Sequence, residues 1–145
     1  MNLTQLRELD LSFVNISSTI HLNFSSYLST LWLQGTQLRR VLPESVFHLS
    51  NLKFLDLTDN PLLTVRFPTT QWNSSASLME LYLSGVNAIG RIPESFGHLS
   101  SLRTLRIASC NLSGTIPKPP FFISLDLESS GGYHLQITDG LNLIS

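Results

Sequence analysis

Apolar residues recur along this chain on a fixed grid. Leu49, Leu52, Leu55, Leu57, Asn60 and Leu62 fill the marked places of LxxLxxLxLxxNxL. Leu99, Leu102, Leu105, Ile107, Cys110 and Leu112 fill them again, with Ile for one leucine and Cys for the asparagine. Further copies run through Leu3, Leu6, Leu9, Leu11 and Ile16, through Leu28, Leu31, Leu33 and Leu38, and through Leu78, Leu81, Leu83 and Ala88. A degraded copy keeps Phe122, Leu125 and Leu127. The copies begin near residues 3, 25, 49, 75, 99 and 119. An offset of 50 checks the grid independently. Pro43-Glu44-Ser45 returns as Pro93-Glu94-Ser95, His48-Leu49-Ser50 as His98-Leu99-Ser100, and Leu31, Leu33 and Gly35 as Leu81, Leu83 and Gly85.

In each LxL triplet the leucines alternate with a residue that must face the other way, which predicts a short strand with one apolar side. Burying four or five such side chains gains roughly 1.5–3 kcal/mol each, whereas ordering two dozen residues costs roughly 1–2 kcal/mol per residue. A single copy therefore cannot fold alone, but stacked copies sharing one interior can. The expected architecture is an α/β-type leucine-rich-repeat solenoid. It is a curved right-handed stack of about six coils, with a short-stranded parallel sheet on the concave face, forming one domain over residues 1–145. Residues 61–77 read as a convex loop insertion and residues 128–145 as an irregular, frayed tail that does not cap the stack.

The place after each strand ordinarily holds an asparagine that bonds backbone groups between coils. Here it holds Val14, Thr36, Asn60, Val86, Cys110 and Ser130, so the ladder is expected to be less regular, with Asn15, Asn87 and Asn111 one place later able to compensate. Beyond it, Leu112-Ser113-Gly114-Thr115-Ile116-Pro117, Ala88-Ile89-Gly90-Arg91-Ile92-Pro93 and the remnant Val41-Leu42-Pro43 share an LxGxIP pattern. Glycine suits a sharp turn there and proline ends strand pairing.

Composition narrows the function. Hydrophobic residues are 42% and charged residues 13%, which is the balance of a packed chain and not a disordered one. A net charge of −1 gives no general attraction to nucleic acid. The single Cys110 allows no intrachain disulfide. No apolar run is long enough to span a bilayer, and the start, Met1-Asn2-Leu3-Thr4-Gln5, lacks the form of an export signal.

The LxGxIP extension resembles the plant-specific class of leucine-rich repeats. Leu9-Asp10-Leu11-Ser12-Phe13-Val14-Asn15-Ile16-Ser17, Val65-Arg66-Phe67-Pro68-Thr69-Thr70 and Trp72-Asn73-Ser74-Ser75-Ala76-Ser77-Leu78 resemble the ectodomains of plant receptor-like proteins, especially the nightshade disease-resistance type. The resemblance covers roughly residues 3–118 and corresponds to an early-to-middle block of repeats. It implies a defence receptor at the plasma membrane with its repeats on the extracellular side. Such a protein binds a protein, peptide or glycan ligand, and signals through a partner receptor kinase because the family lacks a kinase of its own. The alternatives are a secreted repeat protein that inhibits microbial cell-wall-degrading enzymes, or a truncated receptor fragment without activity.

Candidate chemistry follows from the grid. The residue between the strand leucines faces outward, and down the stack this column reads Asp10, Trp32, Asp56, Tyr82, Arg106 and Asp126. Two places earlier stand Glu8, Thr30, Phe54, Glu80, Thr104 and Ser124. Trp32, Phe54 and Tyr82 fall on consecutive strands and are expected to make an exposed aromatic patch, with Asp56 and Arg106 beside it as ligand-binding residues. Ordinary cross-strand packing competes with that reading. Asn-x-Ser/Thr sequons stand at Asn2, Asn15, Asn23, Asn73 and Asn111, against roughly two expected by chance, with Asn23 and Asn73 the favoured glycan carriers. His48 and His98, two coils apart, are too distant to share a metal ion. No phosphate loop, nucleophile elbow or paired carboxylate pattern is present, so the reading is of a protein without catalytic residues, metal or cofactor.

Overall fold

The structure, a computed structural model, describes residues 4–17, 24–69, 72, 77–116, 124–126 and 135–137. It is a parallel-stranded solenoid. The LxL triplets form one sheet of six strands: β1 (Glu8–Asp10), β2 (Thr30–Trp32), β4 (Phe54–Asp56), β6 (Glu80–Tyr82), β8 (Thr104–Arg106) and β10 (Ser124–Asp126), stacked in that order. Their central leucines pair in unbroken register, Leu9 with Leu31, then Leu55, Leu81, Leu105 and Leu125. Leu31, Leu55, Leu81 and Leu105 are fully buried, as are Leu33, Leu57 and Leu83 beyond each strand. The alternation read from the sequence therefore places the apolar side of the coils from β1 to β8 in one shared interior.

A second parallel sheet was not expected. It contains β3 (Arg40–Val41), β5 (Asn60–Val65), β7 (Val86–Arg91), β9 (Asn111–Ile116) and β11 (Leu135–Ile137). The LxGxIP stretch, read as a turn and a stop, is extended in β7 and β9. Gly90, at φ +96°, lies within β7. Four successive coils, from β2–β3 to β8–β9, carry both strands. β11 also corrects the reading of residues 128–145 as wholly irregular, because Leu135–Ile137 pairs with Gly114–Ile116 of β9; the rest of that stretch lies outside the described residues.

Residues 61–77 are likewise not a simple loop. Asn60–Val65 is strand β5, with a register shift between Asn60 and Thr64 that takes up part of the longest repeat spacing. Pro61 has no N–H to lend to the ladder, which suits a bulge. Phe67 and Trp72 turn into the interior, where their rings meet Phe47 and Phe96 at centroid distances of 5.3–5.9 Å and each other at 6.2 Å. Phe47 and Phe96 come from 3-10 turns, Glu44–His48 and Glu94–His98, the places that the offset of 50 made equivalent. These turns, and no α-helix among the described residues, form the return path of the coils, which corrects the α/β-type expectation. Each is five residues long, begins after Pro43 or Pro93 and ends at an extended or non-helical leucine. That length is too short to offset the cost of nucleating an α-helix.

The turns after β1, β2, β4, β6 and β8 share one left-handed residue. Phe13, Gly35, Asp59, Gly85 and Ser109 all have φ between 55° and 69°. The N–H of each of the first four donates to the next coil, at 2.7–3.1 Å to Gln34, Thr58, Ser84 and Ala108. A Cβ on Gly85 would sit 3.3 Å from Asp59 Oδ1. Gly85→Ala is thus expected to lower stability by about 1–2 kcal/mol. This would appear as a lower denaturant midpoint at unchanged slope; Ser109→Gly, at the same turn one coil on, should show no loss.

The inner ladder is as uneven as expected. Buried Asn60 donates from Nδ2 to the carbonyls of Leu33, Leu57 and Thr58 at 2.7, 2.9 and 3.1 Å, and its Oδ1 accepts from Thr36 Oγ1 and the Leu38 N–H at 3.0 and 3.1 Å. Cys110 repeats this role 50 residues later with a weaker donor, its Sγ lying 2.9 Å from the Leu83 carbonyl. Val86 is buried in the same column and carries no donor. Asn15, Asn87 and Asn111 do not compensate. All three are exposed, Asn15 accepting from the Ser17 N–H and Asn87 donating to Thr64 Oγ1. One place beyond an inward residue, alternation sends a side chain outward. Ser130 lies outside the described residues.

Candidate recognition surface

The outer face of the first sheet gathers the residues singled out from the sequence. In register across five strands stand Asp10, Trp32, Asp56, Tyr82 and Arg106. The parallel column holds Glu8, Thr30, Phe54, Glu80 and Thr104. Trp32, Phe54, Asp56 and Tyr82 are half-buried, while Asp10 and Arg106 are exposed. Asp126 is placed in register by its backbone.

The aromatic side chains form one file. Trp32 and Phe54 have ring centroids 5.4 Å apart, tilted by 50°, and Phe54 and Tyr82 are again 5.4 Å apart, tilted by 37°. Arg106 continues it, its Cζ lying 5.8 Å from the centre of the Tyr82 ring, within cation–π range. Phe54 belongs to the neighbouring column and reaches diagonally between the other two rings. The rings thus pack on one another and remain partly open to solvent.

Local bonds fix the polar groups around the rings. Asp10 Oδ1 accepts from the Ser12 N–H at 2.8 Å, and Asp56 Oδ1 accepts from the Thr58 N–H at 2.9 Å, the same short turn two coils apart. Hydrogen bonds from Ser12 hold the Asp10 carboxyl below the usual carboxylate range. Tyr82 donates its hydroxyl proton to Glu80 Oε2 at 2.7 Å. Burial first, then Glu80, raise the Tyr82 hydroxyl above its ordinary value against the opposing pull of Arg106, so it stays a proton donor. Gln34 Nε2 donates to Asp59 Oδ2 at 3.3 Å on the rim. Asp56, Asp59, Tyr82 and Arg106 line a shallow open depression of about 500 Å³. The hidden Ser84 hydroxyl in its wall has no partner.

The Glu80–Tyr82 bond was missed from the sequence, although the two residues are two places apart on one strand and so share a face. Gln34 and Asp59 come from different coils, and no spacing rule joins them. On the flank, Cys110 lines a second open depression of about 450 Å³. Burial pushes its thiol up despite backbone hydrogen bonds that pull the other way, which keeps it protonated and a poor nucleophile. His48 and His98 are exposed, and no group of three metal-ligating side chains occurs among the described residues. No helix there is long and apolar enough to cross a membrane. Of the sequons, Asn15 and Asn111 are exposed on the flank, whereas Asn2, Asn23 and Asn73 lie outside the described residues.

Comparison with known proteins agrees with the grid. The family model described as Leucine Rich Repeat matches residues 101–122. The chain is 73% identical over 73 residues to a receptor-like protein Cf-9 homolog from Solanum lycopersicum, which is 50% of this chain and 9% of that relative. It is 71% identical over 73 residues to the receptor-like protein Cf-9 from Solanum pimpinellifolium, 50% of this chain and 8% of that relative. The matched stretch is thus under a tenth of either relative's length. Among solved structures, the leucine-rich-repeat ectodomain of the receptor kinase SOBIR1 from Arabidopsis thaliana superposes with a TM-score of 0.56 and 28% identity, covering 71% of this chain and 61% of that one.

Proposed function

We propose that this chain, a leucine-rich-repeat segment similar to nightshade receptor-like proteins, is a non-enzymatic recognition module of a plant defence receptor. Its repeats would face the outside of the plasma membrane, and a ligand would bind on the first sheet's outer face. The observation that carries the reading is the file of Trp32, Phe54, Tyr82 and Arg106. Large aromatic side chains with an arginine at hand are the commonest anchors of protein interfaces. A sheet face that only had to be soluble would need none of them. Stacked coils curve, and the strand face of such a stack is its concave side. Exposed Asn15 and Asn111 would carry glycans on the flank, leaving that face clear.

The ligand is a protein, peptide or glycan, and a partner receptor kinase would carry the signal inward. A photoreactive residue in place of Thr58, beside the file, should cross-link a ligand when the full receptor bearing these coils is displayed on leaf cells. The same residue in place of exposed Leu62, on the second sheet, should not. Trp32→Ala with Tyr82→Ala should abolish the product, each ring contributing about 2 kcal/mol, or roughly thirtyfold in affinity, while the lost cross-strand packing lowers fold stability by only about 1–2 kcal/mol and leaves the chain folded. Cross-linking from position 62 and not from 58 would refute the placement.

A further inference from the structure

Resting on that recognition reading, we infer that the occupant of this face is an extended peptide bearing arginine, seated with a guanidinium over Trp32. The first argument is charge. On the outward columns of β1, β2, β4, β6 and β8 stand four carboxylates, Glu8, Asp10, Asp56 and Glu80, and one cation, Arg106. The chain as a whole is nearly balanced, with ten acidic residues and nine Lys or Arg. Within these two columns carboxylates therefore outnumber cations, and the one cation lies against Tyr82, at the end away from Trp32.

The second argument is position. Trp32 stands in register between Asp10 on one neighbouring strand and Asp56 on the other. Adjacent strands are about 4.8 Å apart, so the two carboxylate-bearing positions flank Trp32 on either side, next to where a cation would rest on its ring. Ring and carboxylates then act on the same charge. Both aspartates are already held by their own turns, at Ser12 and Thr58, so little ordering is left for binding.

The third argument is shape. The file has aromatic surface on one side and fixed carboxylates beside it. A planar guanidinium satisfies both at once, stacking on the ring and forking to a carboxylate, whereas an ammonium does so less well. A sugar ring would stack on Trp32 but would gain nothing from the excess of negative charge. An extended backbone lying across the strands sets alternate side chains about 6.6 Å apart, so three of them reach across about four coils spaced about 4.8 Å apart.

The test uses acetylated, amidated nine-residue Ser/Gly peptides with three alternating Arg, citrulline or Glu residues, and chitohexaose as the carbohydrate probe. The chain has two tryptophans, and Trp72 is buried, so quenching of fluorescence by iodide reports on Trp32. The arginine peptide should shield Trp32, more weakly as salt rises. The citrulline peptide, neutral and equal in shape, should bind at least about tenfold more weakly. Asp10→Asn with Asp56→Asn should cost the arginine peptide a similar factor while leaving the thermal midpoint unchanged. Equal binding of the arginine and citrulline peptides, or indifference to the double substitution, would overturn the inference. Shielding by chitohexaose alone would remove the cationic occupant and leave the recognition surface standing. No shielding by any probe removes the inference too, and only a blank cross-link at position 58 would remove the recognition reading with it.

Discussion

Asn60→Ala is expected to destabilise the fold by about 3–4 kcal/mol, more than any other single polar change among the described residues. Asn60 is fully buried and its amide serves two coils at once. Its removal strips the Leu38 N–H of its acceptor and the Leu33 and Leu57 carbonyls of their shared donor, in a place that water does not reach. Each orphaned buried group costs about 1–3 kcal/mol. Thr36 softens the loss slightly, because its hydroxyl can still donate to the Leu33 carbonyl at 2.9 Å. Cys110→Ala supplies the comparison. It empties the equivalent place one ladder step beyond the gap at Val86, but removes only a thiol donor, and should cost about 1 kcal/mol beyond the lost packing. Urea unfolding followed by circular dichroism checks both. If the two substitutions cost the same, the amide is not what joins the coils.

The second large effect concerns the aromatic interior. Trp72→Ala should cost about 3–5 kcal/mol, the range for emptying a large aromatic site. The indole is 3% exposed and is packed against Phe47, Phe67 and Phe96. Trp72→Phe should cost less than half as much. The indole Nε1 is buried without a hydrogen-bond partner, so exchanging it for carbon leaves nothing unsatisfied and even relieves a desolvated donor. The remaining cost is the volume difference. Thermal unfolding of the two variants against the parent decides it; a phenylalanine as damaging as alanine would mean that the N–H is needed after all.

What could be read in advance divides along a physical line. The first sheet was legible because its strands are set by side-chain alternation within three residues. Leu9, Leu31, Leu55, Leu81 and Leu105 announced both the strand and its register. The second sheet was not. Asn60–Val65 contains Pro61, and Val86–Arg91 contains Gly90, residues that argue against a strand when judged locally. Their extended form is stabilised by the coil on either side, a dependence on context that a single segment does not display. Trp72 was misplaced for a related reason. Proline-punctuated and without periodicity, residues 61–77 looked like surface, whereas the space between the two 3-10 turns draws Phe67 and Trp72 inward. At the recognition surface, alternation sufficed to find Trp32, Phe54, Tyr82 and Arg106. It did not show that Phe54 bridges the other rings, because a diagonal contact depends on rotamers and not on spacing.

The unslipped pairing of Leu9 through Leu125 has a genetic corollary. Coils whose leucines align without offset are interchangeable cassettes. Unequal crossing-over between their coding segments would add, drop or shuffle whole turns, keep the leucine register of the first sheet and re-letter the residues between the leucines. Diversity in what the surface meets can then arise without any renegotiation of how the chain folds.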